Sequence, residues 1–137
     1  MSEWRLDHRI ADDSHPVVQL PLSEVRLMDD SHHPWLLLVP RVPGATELVH
    51  LSEAQQQALL REVSLASRVL LERFAPDKLN VAALGNVVPQ LHVHVIARYA
   101  GDIAWPRPVW GQASAMPYTP EALVERVAVL REGLSAA

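Results

Sequence analysis

The residues best equipped for chemistry in this chain lie together in Gln90-Leu91-His92-Val93-His94-Val95-Ile96. Side chains of a β-strand point to alternate faces, so residues 90, 92 and 94 share one face and Leu91, Val93 and Val95 the other. The apolar set can anchor in a core. The polar set presents an amide and two imidazoles in a row, with alternate Cα atoms roughly 6.5 to 7 Å apart. A strand that buries one face and arms the other is a platform for a site.

Three readings of the pair stand. His92 and His94 are ordinary satisfied strand residues, or metal ligands, or the parts of a nucleophilic site. A metal site needs a third protein ligand. The stretch after the pair, Val95-Ile96-Ala97-Arg98-Tyr99, holds no carboxylate, and Arg98 is a poor neighbour for a cation. His32, His33 or His50 could contribute only through tertiary contacts. In the nucleophilic reading an imidazole attacks phosphorus and carries a covalent phosphoryl or nucleotidyl group. Its ordinary pKa near 6.5 leaves a neutral nucleophile available at pH 7. The second His, Gln90 and backbone N–H groups near Gly85 are the donors such a step needs for the phosphate oxygens.

These residues must be held by a scaffold. Glu24-Val25-Arg26-Leu27-Met28 alternates as a half-buried strand does. Asp29 to Pro34 is turn chemistry, and Trp35 to Val39 is an apolar run suited to a central strand. The two segments predict a hairpin. Ser52 is a good helix N-cap, and Gln55 three residues on completes a capping box. Leu59, Val63, Ala66, Leu70 and Phe74 then form a helical stripe that Pro76 ends. This helix of about 23 residues is long for a small domain. Leu79 to Leu84 reads as a strand, Gly85-Asn86 as a turn, and the His strand as running from 90 to about 98. Asp102 to Tyr118, rich in Pro and Trp, is expected to be ordered but irregular. Thr119-Pro120-Glu121 starts a last helix with the stripe Leu123, Val127, Leu130, Leu134. Residues 1–20 are expected to form a short helix or an irregular arm, with loop signals at 12–16. The whole predicts an α+β domain with a largely antiparallel sheet.

Size and composition narrow the function. The chain has 137 residues and 49% hydrophobic content, which fits one domain, 1–137, with a buried core. It is too short for a (β/α)₈ barrel of roughly 250 residues, which removes the barrel metallohydrolases. The net charge is −4 and Lys and Arg occur singly, so no basic stretch points to nucleic acid. There are no cysteines, which excludes disulfides, thiolate metal sites and thiol nucleophiles. No apolar signal segment or stretch approaching the roughly 20 residues of a membrane span is found. A cytoplasmic protein with no membrane partner is the expectation.

The stretch Gly85 to Arg98 resembles the signature of the histidine triad (HIT) superfamily, His-φ-His-φ-His-φ-φ, with Gln90 in the first histidine position. The likeness extends to Leu36-Leu37-Leu38-Val39-Pro40-Arg41, to Leu48-Val49-His50-Leu51-Ser52 before the long helix, to Asn80, and to Trp105-Pro106 and Trp110. It covers about residues 22–111 and points to the dinucleoside polyphosphate hydrolase branch. The resemblance implies an α+β fold with an antiparallel sheet of about five strands, one long helix and a C-terminal helix. It also implies a homodimer, a small-molecule nucleotide as partner and no cofactor or metal. The implied activity is that of a nucleotide hydrolase or nucleotidyl transferase. It would act on a dinucleoside polyphosphate or nucleoside phosphoramidate through a nucleotidyl-histidine. His92 matches the family nucleophile and His94 the histidine that holds phosphate and positions it. Asn86 matches the phosphate-contacting residue of the preceding turn, and Asn80 a nucleotide-contacting one. Gln90 departs from the pattern. Its amide can donate to phosphate but cannot carry charge. Val87 stands where a hydroxyl residue is common. These departures carry the alternative, a nucleotide-binding module with weak or no turnover.

The remaining residues each have two readings. Arg98 steers phosphate or is a solvated strand end. Trp105 and Trp110 stack on a base or pack on the domain. His32 and His33 are expected in an exposed turn, and His50 in a local structural role.

Overall fold

A computed structural model describes residues 3–135. The chain order is α1 (His8–Asp13), β1 (Ser14–Gln19), β2 (Ser23–Met28), β3 (Trp35–Pro40), a single 3-10 turn (Leu48–His50), α2 (Glu53–Phe74), β4 (Lys78–Ala82), β5 (Val93–Arg98) and α3 (Pro120–Ser135). The five strands form one antiparallel sheet in the order β1-β2-β3-β5-β4. This is the α+β architecture the sequence predicts.

The hairpin of β2 and β3 forms as expected, with Val25 opposite Leu38 and Leu27 opposite Leu36. The capping box of α2 is present. The Gln55 N–H donates to Ser52 Oγ at 3.1 Å, and the Ser52 N–H donates to Gln55 Oε1 at 2.8 Å. Leu59, Ala66 and Leu70 of its stripe are buried, and Val63 and Phe74 pack against the same core. In α3 Leu130 and Leu134 are buried, with Leu123 and Val127 partly so. Both helices cover one face of the sheet, built from Val25, Leu27, Leu36, Leu38, Val93, Val95 and Ala97.

The opposite face carries a second cluster, in which Trp35, Leu37, Val39 and Ile96 meet Ile10 and Val109, with Trp4, Leu6, Val88 and Trp110 at its margin. Here the N-terminal arm and the irregular 102–118 segment replace helices as the cover. The segment around 12–16, expected to be a loop, is instead the end of α1 and the start of β1. Strand β1 tolerates Pro16 because it lies at the sheet edge, and its register shifts between Pro16 and Val18. Among the described residues no helix is long and apolar enough to cross a membrane.

Candidate active site

Strand β5 begins at Val93, three residues later than expected. Leu38 lies opposite Val93 and Ala82 opposite His94, and there the pairing of β5 with both neighbours ends. Continuing the β3 ladder would place Leu91 against Pro40, which has no N–H to give. Leu91 turns away instead, and its N–H donates to the Ala45 carbonyl at 3.0 Å. Leu91, Val93 and Val95 nonetheless reach the core as expected. The armed segment is therefore half strand and half loop. His94 sits in the sheet, while His92 and Gln90 lie on the approach to it.

The two imidazoles are held in opposite states by their partners. His92 Nδ1 lies 2.6 Å from the Gln90 carbonyl oxygen. A carbonyl only accepts, so Nδ1 carries the proton and Nε2 keeps a free lone pair. His94 Nδ1 lies 3.0 Å from Trp35 Nε1, whose indole N–H only donates. His94 Nδ1 is thus the acceptor, and its proton resides on Nε2. The two rings stand edge to face, 4.9 Å apart at an interplanar angle of 67°. His92 is half-buried and His94 is 4% exposed. Burial, with a smaller push from His92, lowers the His94 pKa to about 3, so this ring is neutral at any ordinary pH.

Aromatic rings enclose His94. Trp110 meets it at 4.9 Å and 80°, and Trp35 meets Trp110 at 5.8 Å and 88°. Edge-to-face packing of this kind fixes ring positions. Trp110 is accordingly a packing residue of the site wall. Trp105 is 38% exposed, and the Arg98 guanidinium lies 5.8 Å from its ring centroid.

The amide of Gln90 faces the N-terminal arm. Gln90 Oε1 accepts from the Asp7 N–H at 2.8 Å, and Nε2 donates to the Arg5 carbonyl at 2.7 Å. Arg9 Nη1 adds a bond to the Val87 carbonyl at 3.1 Å. The first position of the motif is therefore a clasp for the arm. Asn86 and Val87 are exposed on the loop that follows β4, where Gly85 adopts φ +81°. A cleft of about 260 Å³ opens beside this loop, between Thr46–Val49, Ala83–Gly85 and Pro89–His92. His50 has the local role expected of it, accepting from the backbone N–H groups of Thr46 and Glu47 through Nδ1.

Arg98 lies roughly 13 Å along β5 from His94, and its partner Asn80 lies on β4 opposite Ile96. Arg98 is not a solvated strand end; it is 1% exposed. It grips Asp102 through Nε at 2.8 Å and Nη2 at 3.1 Å, and donates from Nη1 to Asn80 Oδ1 at 2.8 Å. Burial raises the Asp102 pKa, but the Arg98 bonds and the Tyr99 and Ala104 N–H groups outweigh it and hold the carboxylate well below its usual range. His33, expected in an exposed turn, is 2% exposed, with Nδ1 3.6 Å from Asp102 Oδ2. His32 is half-buried and bonded to Asp30 at 2.7 Å. The compact Asp29–Pro34 turn folds under the 102–118 segment, which explains both burials.

Sequence reasoning missed Trp35 as a member of the site. Its signal was parity. Leu37 lies opposite His94, so Trp35, two residues earlier, shares the His94 face. That inference needs the β3–β5 register, which no local pattern supplies.

The chain matches the HIT domain family over residues 10–101. A histidine triad protein from Bradyrhizobium japonicum is 47% identical, with a TM-score of 0.95 over 97% of this chain and 99% of that one. One from Marinobacter aquaeolei is also 47% identical, with a TM-score of 0.96 over 98% of each chain. A third, from Sinorhizobium meliloti, is 41% identical, with a TM-score of 0.93 over 95% of this chain and 96% of that one. No match is found among curated proteins. A clasped loop, a paired set of imidazoles at the head of a central strand, and these likenesses lead to one conclusion: the chain belongs to the HIT domain family.

Proposed function

We propose that this protein is a nucleotide hydrolase or nucleotidyl transferase working through a nucleotidyl-histidine on His92. The observation that carries the reading is the opposed tautomers of the two imidazoles. His92 offers an unprotonated Nε2 beside His94, which offers an Nε2–H. A lone pair next to a neutral N–H donor suits attack on phosphorus with an oxygen of the same phosphate held alongside. Family membership supports the same chemistry, since HIT proteins are generally nucleotide hydrolases or transferases.

In the first step His92 Nε2 forms a bond to the α-phosphorus of a dinucleoside polyphosphate or nucleoside phosphoramidate. The bond from phosphorus to the leaving group breaks, and that group departs with the bonding electrons. In the second step water, or another acceptor hydroxyl, displaces the imidazole and releases the nucleotide. The His94 Nε2–H and the backbone N–H groups near Asn86 are the donors for the phosphoryl oxygens. Such donors count most where charge builds in the transition state. Asn86, exposed next to Gly85, is the side chain this reading assigns a further phosphate contact. Gln90 acts indirectly, by fixing the arm and offering its carbonyl to His92. Asn80 and Arg98 brace the far end of β5.

The test is intact-protein mass spectrometry after brief incubation with an adenosine phosphoramidate or a diadenosine polyphosphate, quenched without acid. One nucleotidyl group is expected on the wild-type chain and none on His92→Ala. Equal adducts on a folded His92→Ala would sink the proposal. Tight nucleoside monophosphate binding with neither adduct nor turnover would favour the binding-module reading.

We also infer a homodimer. Strand β4 is a sheet edge, and Val81, Leu84, Leu48 and Leu60 are exposed on or near it. An apolar hollow of about 280 Å³, lined by Leu48, Leu59, Leu60, Val63, Val81 and Val93, lies among them. A second copy is the occupant this reading assigns, and the cytoplasmic setting belongs to the same proposal.

A further inference from the structure

We propose that Trp35 is a positioning residue of this site, holding His94 as a neutral Nε2–H donor through the bond from its indole N–H to His94 Nδ1. The inference rests on the function proposed above and deepens it. An imidazole can flip about its last side-chain bond, exchange its proton between two nitrogens, or take up a second proton. The Trp35 bond opposes all three. A flip would point a C–H at the indole N–H. A proton on Nδ1 would meet another proton. Both groups are buried, Trp35 at 6% and His94 at 4% exposure, so neither can turn to water for a substitute partner. A buried donor left unmade is costly, which ties the indole to Nδ1 as firmly as it ties Nδ1 to the indole.

The indole is itself fixed. Trp35 starts the central strand β3, on the same sheet face as His94. Trp110 packs edge-on against it, and His33 does the same at 6.4 Å and 69°. Support from two packed rings is what a positioning group requires, because a small misplacement of the donor it orients is felt in rate. Trp35 touches no reacting atom. Its effect passes through His94 alone.

The first measurement is made on the resting wild-type protein. Nitrogen-15 NMR of the histidine side chains should show His94 with a protonated Nε2 and an unprotonated, hydrogen-bonded Nδ1, without averaging between the two. A proton on Nδ1, or averaged nitrogen signals, would overturn the proposal before any variant is made. The second measurement replaces Trp35 by β-(3-benzothienyl)alanine, which keeps the ring shape and exchanges the N–H for sulfur. Trp35→Phe is the simpler companion. In the isostere variant the His94 nitrogens should move towards averaged values. The kcat for nucleotide release should fall about tenfold, with KM within about twofold. An isostere variant with wild-type kcat would overturn the positioning role. Fixed tautomers in a wild-type protein that turns over no nucleotide substrate would overturn the parent function, and with it any catalytic purpose for the bond.

Discussion

At the scale of residues, His94 couples the site to the stability of the whole fold. In the unfolded chain it takes a proton near pH 6.5; in the folded protein burial postpones this to about pH 3. Between those values the unfolded state binds the extra proton. Stability is therefore full above about pH 6.5 and declines as pH falls. The loss expected at pH 5 is about 2 kcal/mol from this residue. His33, whose pKa is also lowered by burial against the pull of Asp102, acts in the same direction. Urea denaturation at pH 7.5 and pH 5.0 checks this. His94→Gln should remove about 2 kcal/mol of the difference between the two conditions, and an unchanged pH dependence would show that His94 is not its source. The motif, its two histidines and the core-facing Leu91, Val93 and Val95 were all legible in sequence, because alternation in a strand is local. The clasp of Gln90 on Arg5 and Asp7 was not, since it joins residues more than eighty apart. Nor was the ion pair of Arg98 and Asp102, because spacing along a chain does not reveal burial.

At the scale of elements, helix α2 shows why some parts of this fold are plain in sequence. Ser52, Gln55 and Pro76 mark its ends, and a stripe of five apolar residues marks its face. What no pattern shows is how closely α3 approaches it. A Cβ on Gly133 would lie 2.8 Å from Val69 Cγ1 and 3.2 Å from Cγ2. Val69 is β-branched and has little freedom to turn away. Gly133→Ala would ordinarily stabilise a helix by nearly 1 kcal/mol. Here overpacking of about 1–3 kcal/mol should outweigh that gain, leaving a net loss of about 1 kcal/mol. Adding Val69→Ala should relieve the clash, so a double-mutant cycle should return a clear coupling. Additive effects would mean that the helices separate at little cost. Strand β1 illustrates the opposite limit. Ser14 and Pro16 carry turn chemistry, yet pairing with β2 draws them into the sheet edge. Local propensity yields to tertiary pairing there.

At the scale of the whole molecule, the sheet has two unlike faces. One is closed by α2 and α3 around the main core; the other is closed by the N-terminal arm and the 102–118 segment around the site. The proposed dimer uses neither face but the β4 edge. Leu60→Glu with Val81→Glu should therefore convert the protein to a monomer in sedimentation while leaving its circular dichroism unchanged. A wild-type protein that sediments as a monomer would remove the dimer from the reading. The arm also sets an order of events during synthesis. Asp7 leaves the ribosome 83 residues ahead of Gln90, the partner that clasps it. At ordinary rates of translation that is a wait of about 4 to 17 s. Throughout it the docking surface of Trp4 and Leu6 is incomplete, since Ile96, Val109 and Trp110 come later still. The nascent chain thus carries an apolar N-terminal arm until Trp110 has been made, and the face that holds the site closes only then.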